Sequence, residues 1–200
     1  MATATKRRRK ARDEPVWMAR LRIALLDVQP TIWRVVRVPA VIPLDKLHDA
    51  IQAVMGWTDS HLHEFVINGV RYGIDDPTGF EDERVVDERQ VTLADTLGHT
   101  VRTFDYVYDF GDNWHHAVTL EALEPTEGET PLLYCLAGER ACPPEDVGGP
   151  WAYEEFLEAI ADPEHEEHET MLEWADGEFD PERFDPQPVN ARLDRIKLEI

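Results

Sequence analysis

The sequence predicts an α+β protein: a single domain with a curved, mainly antiparallel sheet and helices packed on one face. Three observations carry this. Strand-like stretches dominate the first two thirds of the 200 residues, and helix-like stretches the last third. The segment Tyr106-Val107-Tyr108-Asp109-Phe110-Gly111-Asp112-Asn113-Trp114-His115-His116 reads as two strands joined by a tight turn. Hydrophobic residues make up 42%, enough for a core that needs no disulfide.

In chain order, residues 1–15 are expected to be a disordered basic tail and 16–198 the domain. Leu21, Ile23 and Leu25 share one parity, so 18–28 is an amphipathic strand. Pro30 ends it. Residues 32–38 are rich in β-branched side chains and predict an antiparallel partner. Pro43 suits a first helical turn, and Leu44, Leu47, Ile51, Val54 and Met55 form a helical stripe that Gly56 stops. Residues 61–71 return to strand, with Asn68-Gly69 as a hairpin turn. An acidic loop over 75–90 follows, then a short helix or turn at 91–97. Strands at 103–110 and 114–123 form the central hairpin, and 125–131 is a polar connector. Residues 132–149 carry Pro143-Pro144 and Gly148-Gly149 and read as an ordered loop. Helices are expected at 153–160 and 164–174. Three prolines make 179–188 extended, and Asn190 is placed to cap a last helix at 191–198.

Charge and composition exclude several functions. The formal net charge is -21, yet six of the 20 Lys and Arg residues lie within positions 6–12 with no acid among them. The remaining body is therefore more acidic still, and repels phosphate backbones and anionic lipid heads. Nucleic acid contact is left only to residues 6–12. No apolar run is long enough to span a bilayer. The basic N-terminus lacks the apolar stretch and cleavage site of a secretory signal. A cytoplasmic protein is expected, with Cys135 and Cys142 as reduced thiols. Their C-x6-C spacing has no second ligand pair, so it is not a zinc ribbon. The 16 arginines against four lysines fit a GC-rich genome or a salty cytoplasm.

Two readings compete at the hairpin. In the structural one, Tyr106, Tyr108 and Phe110 on one strand and Trp114, His116 and Val118 on the other are core, worth roughly 0.2–1 kcal/mol per cross-strand pair. Asp109 and Asp112 then bond turn amides around Gly111. In the chemical one, His61 and His63 project to one face of a strand and meet Asp109, Asp112 and one of His115 or His116. Such a set suits zinc or acid–base work. No cofactor is required; a divalent metal is the one that would fit. The loop Cys142, Glu145, Asp146, Gly148, Gly149 leads into a helix but lacks a phosphate-binding motif, and its acids repel an anion. His165 and His168 fall on one face of an acidic helix, which reads as solvated. Ser60 is the only serine and sits in no nucleophile elbow, so serine hydrolase and serine recombinase chemistry are excluded.

A set of ordered motifs points to a family. These are Ile32-Trp33-Arg34, Leu47-His48-Asp49-Ala50-Ile51-Gln52, Met55-Gly56-Trp57 and Ser60-His61-Leu62-His63-Glu64-Phe65. The 106–116 hairpin follows, then Cys142-Pro143-Pro144-Glu145-Asp146-Val147-Gly148-Gly149 and Phe179-Asp180-Pro181-Glu182-Arg183-Phe184 before Asn190. Over about residues 16–195 the chain resembles the Ri-plasmid ORF-three-like family, whose members are sometimes labelled insertion-element passenger or TnpR proteins. The resemblance implies a single α+β domain found near mobile elements, without an established activity or catalytic residues to carry over. The expectation is a non-enzymatic binding module, associated with mobile genetic elements, for an unknown protein or small ligand. The alternatives are a metal-dependent hydrolase-like enzyme using the His/Asp set, and a nucleic-acid accessory protein acting through the tail.

Overall fold

Among the described residues, eight strands form one sheet in the order β5-β4-β3-β6-β7-β1-β2-β8. They are β1 (Trp17–Leu25), β2 (Trp33–Pro39), β3 (His63–Ile67), β4 (Val70–Gly73), β5 (Val86–Asp87), β6 (Thr103–Tyr108), β7 (Trp114–Pro125) and β8 (Tyr134–Glu139). Every pairing is antiparallel except the short β4–β5 contact. Among the described residues, five α-helices complete this α+β domain: α1 (Leu44–Met55), α2 (Leu93–Leu97), α3 (Gly149–Ala161), α4 (His168–Trp174) and α5 (Pro186–Leu193). The computed structural model describes residues 15–74, 85–97, 101–126 and 132–198. The basic tail, most of the acidic loop and the 127–131 part of the connector lie outside the described residues.

Alternation builds the core. Leu21, Ile23 and Leu25 of β1 face the same side as Phe104, Tyr106 and Tyr108 of β6, Trp114, His116 and Val118 of β7, and Phe65 of β3, and all are buried. Cross-strand register stacks these groups: Tyr106 lies opposite His116 and Phe65, and Tyr108 opposite Trp114 and His63. The opposite parity, with Arg20, Arg22, Asp105, His115 and Thr119, is only partly covered. Helix α1 lays Leu47, Ile51 and Val54 against the covered face and ends at Gly56 in the left-handed region, as the stripe predicts.

Several expectations are corrected. Residues 134–139 are not a loop but the edge strand β8, paired with β2. The last helix begins at Pro186, because proline is tolerated in a first turn where the N–H has no helical partner. Asp185 caps it; Asn190 instead bonds both the N–H and the carbonyl of Cys135. Helix α4 starts only at His168, so His165 lies before it and the two do not share a helical face. Phe110 has left the hairpin strand and is half exposed. Both cysteines are free, Cys135 fully buried in β8. Among the described residues no helix is long and apolar enough to cross a membrane.

Candidate functional site

The predicted polar set divides into an inner group and a rim group. Strand β3 begins at His63, and His61 sits in the bend before it, so the alternation rule does not join them. His63 points into the protein. His61 stays on the rim.

The inner group is a stack of imidazoles. His48 of α1 and His63 of β3 lie face to face, ring centroids 3.4 Å apart and planes within 6°. His63 Nε2 bonds the Glu88 carboxylate at 2.8 Å, and both residues are buried. His48 Nε2 bonds Asp59 at 2.8 Å, and its Nδ1 bonds the Tyr106 hydroxyl at 2.8 Å. A carboxylate only accepts, so each Nε2 carries the proton. His48 Nδ1 then accepts from Tyr106, whose oxygen accepts in turn from Gln52 at 3.1 Å. Burial, then the neighbouring His63, pull the His48 pKa down. Burial also pushes the Tyr106 hydroxyl well above its usual range. His63 Nδ1 is buried without a partner among the described residues.

Ligand atoms of His48, Asp59 and His63 come within 4.8 Å of one another. Parallel rings do not aim their lone pairs at one point, however, and an ion between the planes would lie out of both. The stack fits a hydrogen-bonded core better than a metal centre. Sequence reasoning missed His48, Asp59, Gln52 and Glu88. His48 is four residues after Leu44 and Gln52 is four after His48, so two polar groups continue the apolar face of α1. That spacing was the available signal.

The rim group joins the hairpin turn to the 142–150 loop. His61 Nε2 lies 2.7 Å from Asp146, 3.6 Å from Asp109 and 4.0 Å from Glu145. The Asp146 hydrogen bond, the largest cause, raises the His61 pKa. Asp109 turns its other oxygen to the amides of Gly111 and Asp112 at 2.9 and 3.3 Å, the predicted turn role. Glu145 is held on three sides: Tyr108 donates its hydroxyl at 2.7 Å, and Thr58 donates its N–H and Oγ1 at 2.8 and 2.9 Å. Trp57 Nε1 donates to the Pro143 carbonyl at 3.0 Å. The loop is stitched at its far end too. Asp112 accepts the Gly148 N–H at 2.9 Å, and a Cβ on Gly149 would stand 2.6 Å from the Asp112 carbonyl oxygen. Gly148 and Gly149 thus serve close packing, with φ of 98° and 84°.

The remaining predicted residues lie elsewhere. His115 projects from the opposite face and pairs with Asp105 at 3.2 Å. His116 is fully buried between Trp57 and Tyr106. Asp112 serves the loop, not the imidazoles. Of the predicted set, the rim brings together His61, Asp109, Glu145 and Asp146. Ligand atoms of His61, Asp109 and Asp146 fall within 4.8 Å of one another, and these donors could hold a divalent cation. Among the described residues, Ser60 bonds Thr58 through its hydroxyl and Tyr108 through its N–H, and neither partner is a base.

Around the rim, Leu62, Phe110 and Trp151 are exposed by 58%, 50% and 83%. Trp151 borders a cleft of about 550 Å³ that also reaches Asp27, Asp112 and Glu154. The molecule is thus an α+β protein with an aromatic sheet interior and one acidic rim where a β-turn and a glycine loop interlock. It belongs to the family described as plasmid pRiA4b ORF-3-like protein, whose profile matches residues 18–188. The uncharacterized protein y4hQ of Sinorhizobium fredii is 42% identical over 182 residues, covering 90% of this chain and 92% of that protein. The crystal structure of MM3350, a protein of unknown function from Methanosarcina mazei Go1, is similar with a TM-score of 0.79 and 39% identity. That likeness covers 86% of this chain and 97% of MM3350.

Proposed function

We propose that this chain is a non-enzymatic binding module, and that the acidic, aromatic rim is its recognition face for a basic segment of a partner protein. The observation that carries the reading is the convergence of Asp109, Glu145 and Asp146 within 4.0 Å of His61, beside exposed Leu62, Phe110 and Trp151. Large exposed side chains ringed by charge are the usual makeup of an interaction patch. The carboxylates favour a cationic partner and disfavour an anionic one. The family's plasmid reading frame supports a place among mobile-element genes.

A second reading has its own support. His61, Asp109 and Asp146 offer one imidazole and two carboxylates to a divalent cation, the donor set of a metal-dependent hydrolase. One pair of titrations on the full chain separates the two. With short Arg/Trp peptides, the binding-module reading expects saturable binding that weakens about tenfold in Trp151→Ala and Asp146→Asn, and fades with added salt. A flat titration overturns it. With zinc and manganese, one tightly held ion per chain that is lost in His61→Ala selects the second reading.

A further inference from the structure

In a chain of net charge -21, one cavity collects cations. It measures about 220 Å³ and lies between the end of α1, the segment after β8 and the start of α5, with Arg34, Arg183, Arg192, Cys142 and Phe184 among its walls. Arg34 is 3% exposed. Its guanidinium donates to the carbonyls of Val54, Trp33, Glu139 and Arg140 at 2.8–2.9 Å and stacks on Phe184 at 4.5 Å. Those bonds use four of its five N–H groups, and all four acceptors are neutral.

The usual counter-charges are missing or engaged. Among the described residues, neither Arg34, Arg183 nor Arg192 has a carboxylate within ion-pair distance. The nearby Arg140 is different, since it is already paired with Glu182. Arg192 Nε is buried with no partner among the described residues. Asp185 also lines the cavity, but its carboxylate accepts the Gln187 N–H as the cap of α5. Burial pushes the Cys142 thiol far up, so no thiolate offsets the arginines. Burial, chiefly, also lowers the Arg34 pKa, and the Arg192 charge acts in the same direction. Among the described residues, three arginines therefore line one small volume with Asp185 as the one carboxylate residue in its walls.

We propose that this cavity binds a small oxyanion of phosphate or carboxylate chemistry, gripped by Arg183 and Arg192, with Arg34 as fixed positive charge behind them. Guanidinium forks match such anions with paired, charge-assisted hydrogen bonds. The volume is below the roughly 300 Å³ at which organic-ligand pockets begin, which limits the ligand to a few heavy atoms. The cavity is a separate site from the acidic rim, and its test does not depend on that reading.

The test is calorimetric titration of the full chain with inorganic phosphate and, separately, succinate, against sodium chloride at equal ionic strength. Saturable one-to-one binding of either anion is expected, and which one binds assigns the chemistry. Arg183→Ala and Arg192→Gln should each weaken it by about tenfold or more, as losing a charge-assisted bond does. Arg34 clips β2 to α1 and is not a safe variant, so thermal unfolding supplies the second readout: the anion that binds should raise the melting temperature of the unsubstituted chain and leave that of Arg192→Gln nearly unchanged. Heats no larger than those of chloride, or binding unchanged in both arginine variants, would overturn the proposal.

Discussion

His116→Phe should remove about 2 kcal/mol of the stability that the chain loses between pH 8 and pH 5. His116 is fully buried, its Nδ1 bonds the Tyr106 carbonyl at 3.2 Å, and its Nε2 has no partner among the described residues. Burial, the largest cause, lowers its pKa from 6.5 to about 4. The folded chain thus holds this ring neutral while the unfolded chain protonates it first. Its contribution is fully present above pH 6.5 and is lost as pH falls toward 4. From those two values the linkage between pH 8 and pH 5 is about 2 kcal/mol, rising to about 3 kcal/mol at lower pH. Urea unfolding at both pH values gives the difference within each protein, so any packing change from the phenyl ring cancels. His48 titrates alike in both proteins and cancels as well. The wild-type difference should exceed that of His116→Phe by about 2 kcal/mol, or roughly 4–8 °C in melting temperature. An excess below about 0.5 kcal/mol would refute the premise that burial keeps this imidazole neutral.

Two further perturbations test the stitching of the site. Gly149→Ala places a Cβ 2.6 Å from the Asp112 carbonyl at a φ of 84°, whereas Gly69→Ala at a φ of 77° meets nothing within 4 Å. Gly69→Ala should cost about 1 kcal/mol of backbone strain, and Gly149→Ala about 1–3 kcal/mol more, with faster hydrogen exchange at the Gly148 amide. Equal costs for the two would show that the loop does not press on the turn. Glu88→Ala leaves the buried His63 ring without an acceptor and should lower unfolding free energy by about 1–3 kcal/mol, while Glu88→Gln restores much of it. A neutral Glu88→Ala in urea unfolding would mean that the inner stack contributes little.

The sheet was legible where period-two alternation is strong. Leu21, Ile23 and Leu25, and the Tyr106/Tyr108 ribbon against Trp114/His116/Val118, announce buried faces through side chains alone. Helix α1 was legible through its stripe and its terminal glycine. Strand β8 was not, because an edge strand buries little. Only Cys135 among its six residues is fully covered, so no apolar alternation marks it. Helix α5 was hidden by Pro186 and Pro188, which look like breakers unless the first turn falls on them. The site was half legible. That the hairpin turn carries a functional-looking cluster follows from composition. Which imidazole meets which carboxylate depends on where β3 begins: His63 opens the strand and points inward, whereas His61 lies in the bend before it and stays on the rim. Glu145 and Asp146 could be matched to His61 only through a contact more than 80 residues distant in sequence.

The two histidine groups are insulated from each other by Tyr108. Its hydroxyl accepts from the Ser60 amide at 3.0 Å and donates to Glu145, so the ring forms a wall between the inner stack and the rim. Electrostatics differs in sign across that wall: burial lowers the His48 pKa, while the Asp146 hydrogen bond raises that of His61. His48 is thereby biased toward its neutral ring, and His61 toward its charged one. Titration of His61 should then tune what the rim attracts without disturbing the fold. A partner that brings its own positive charge competes with the His61 proton, so its affinity should fall as pH drops through the raised His61 pKa. His61→Gln should bind more evenly across the same range, because the competing proton is gone while the carboxylates stay. A partner whose affinity rises on acidification, or whose pH dependence survives His61→Gln, would place recognition elsewhere on the molecule.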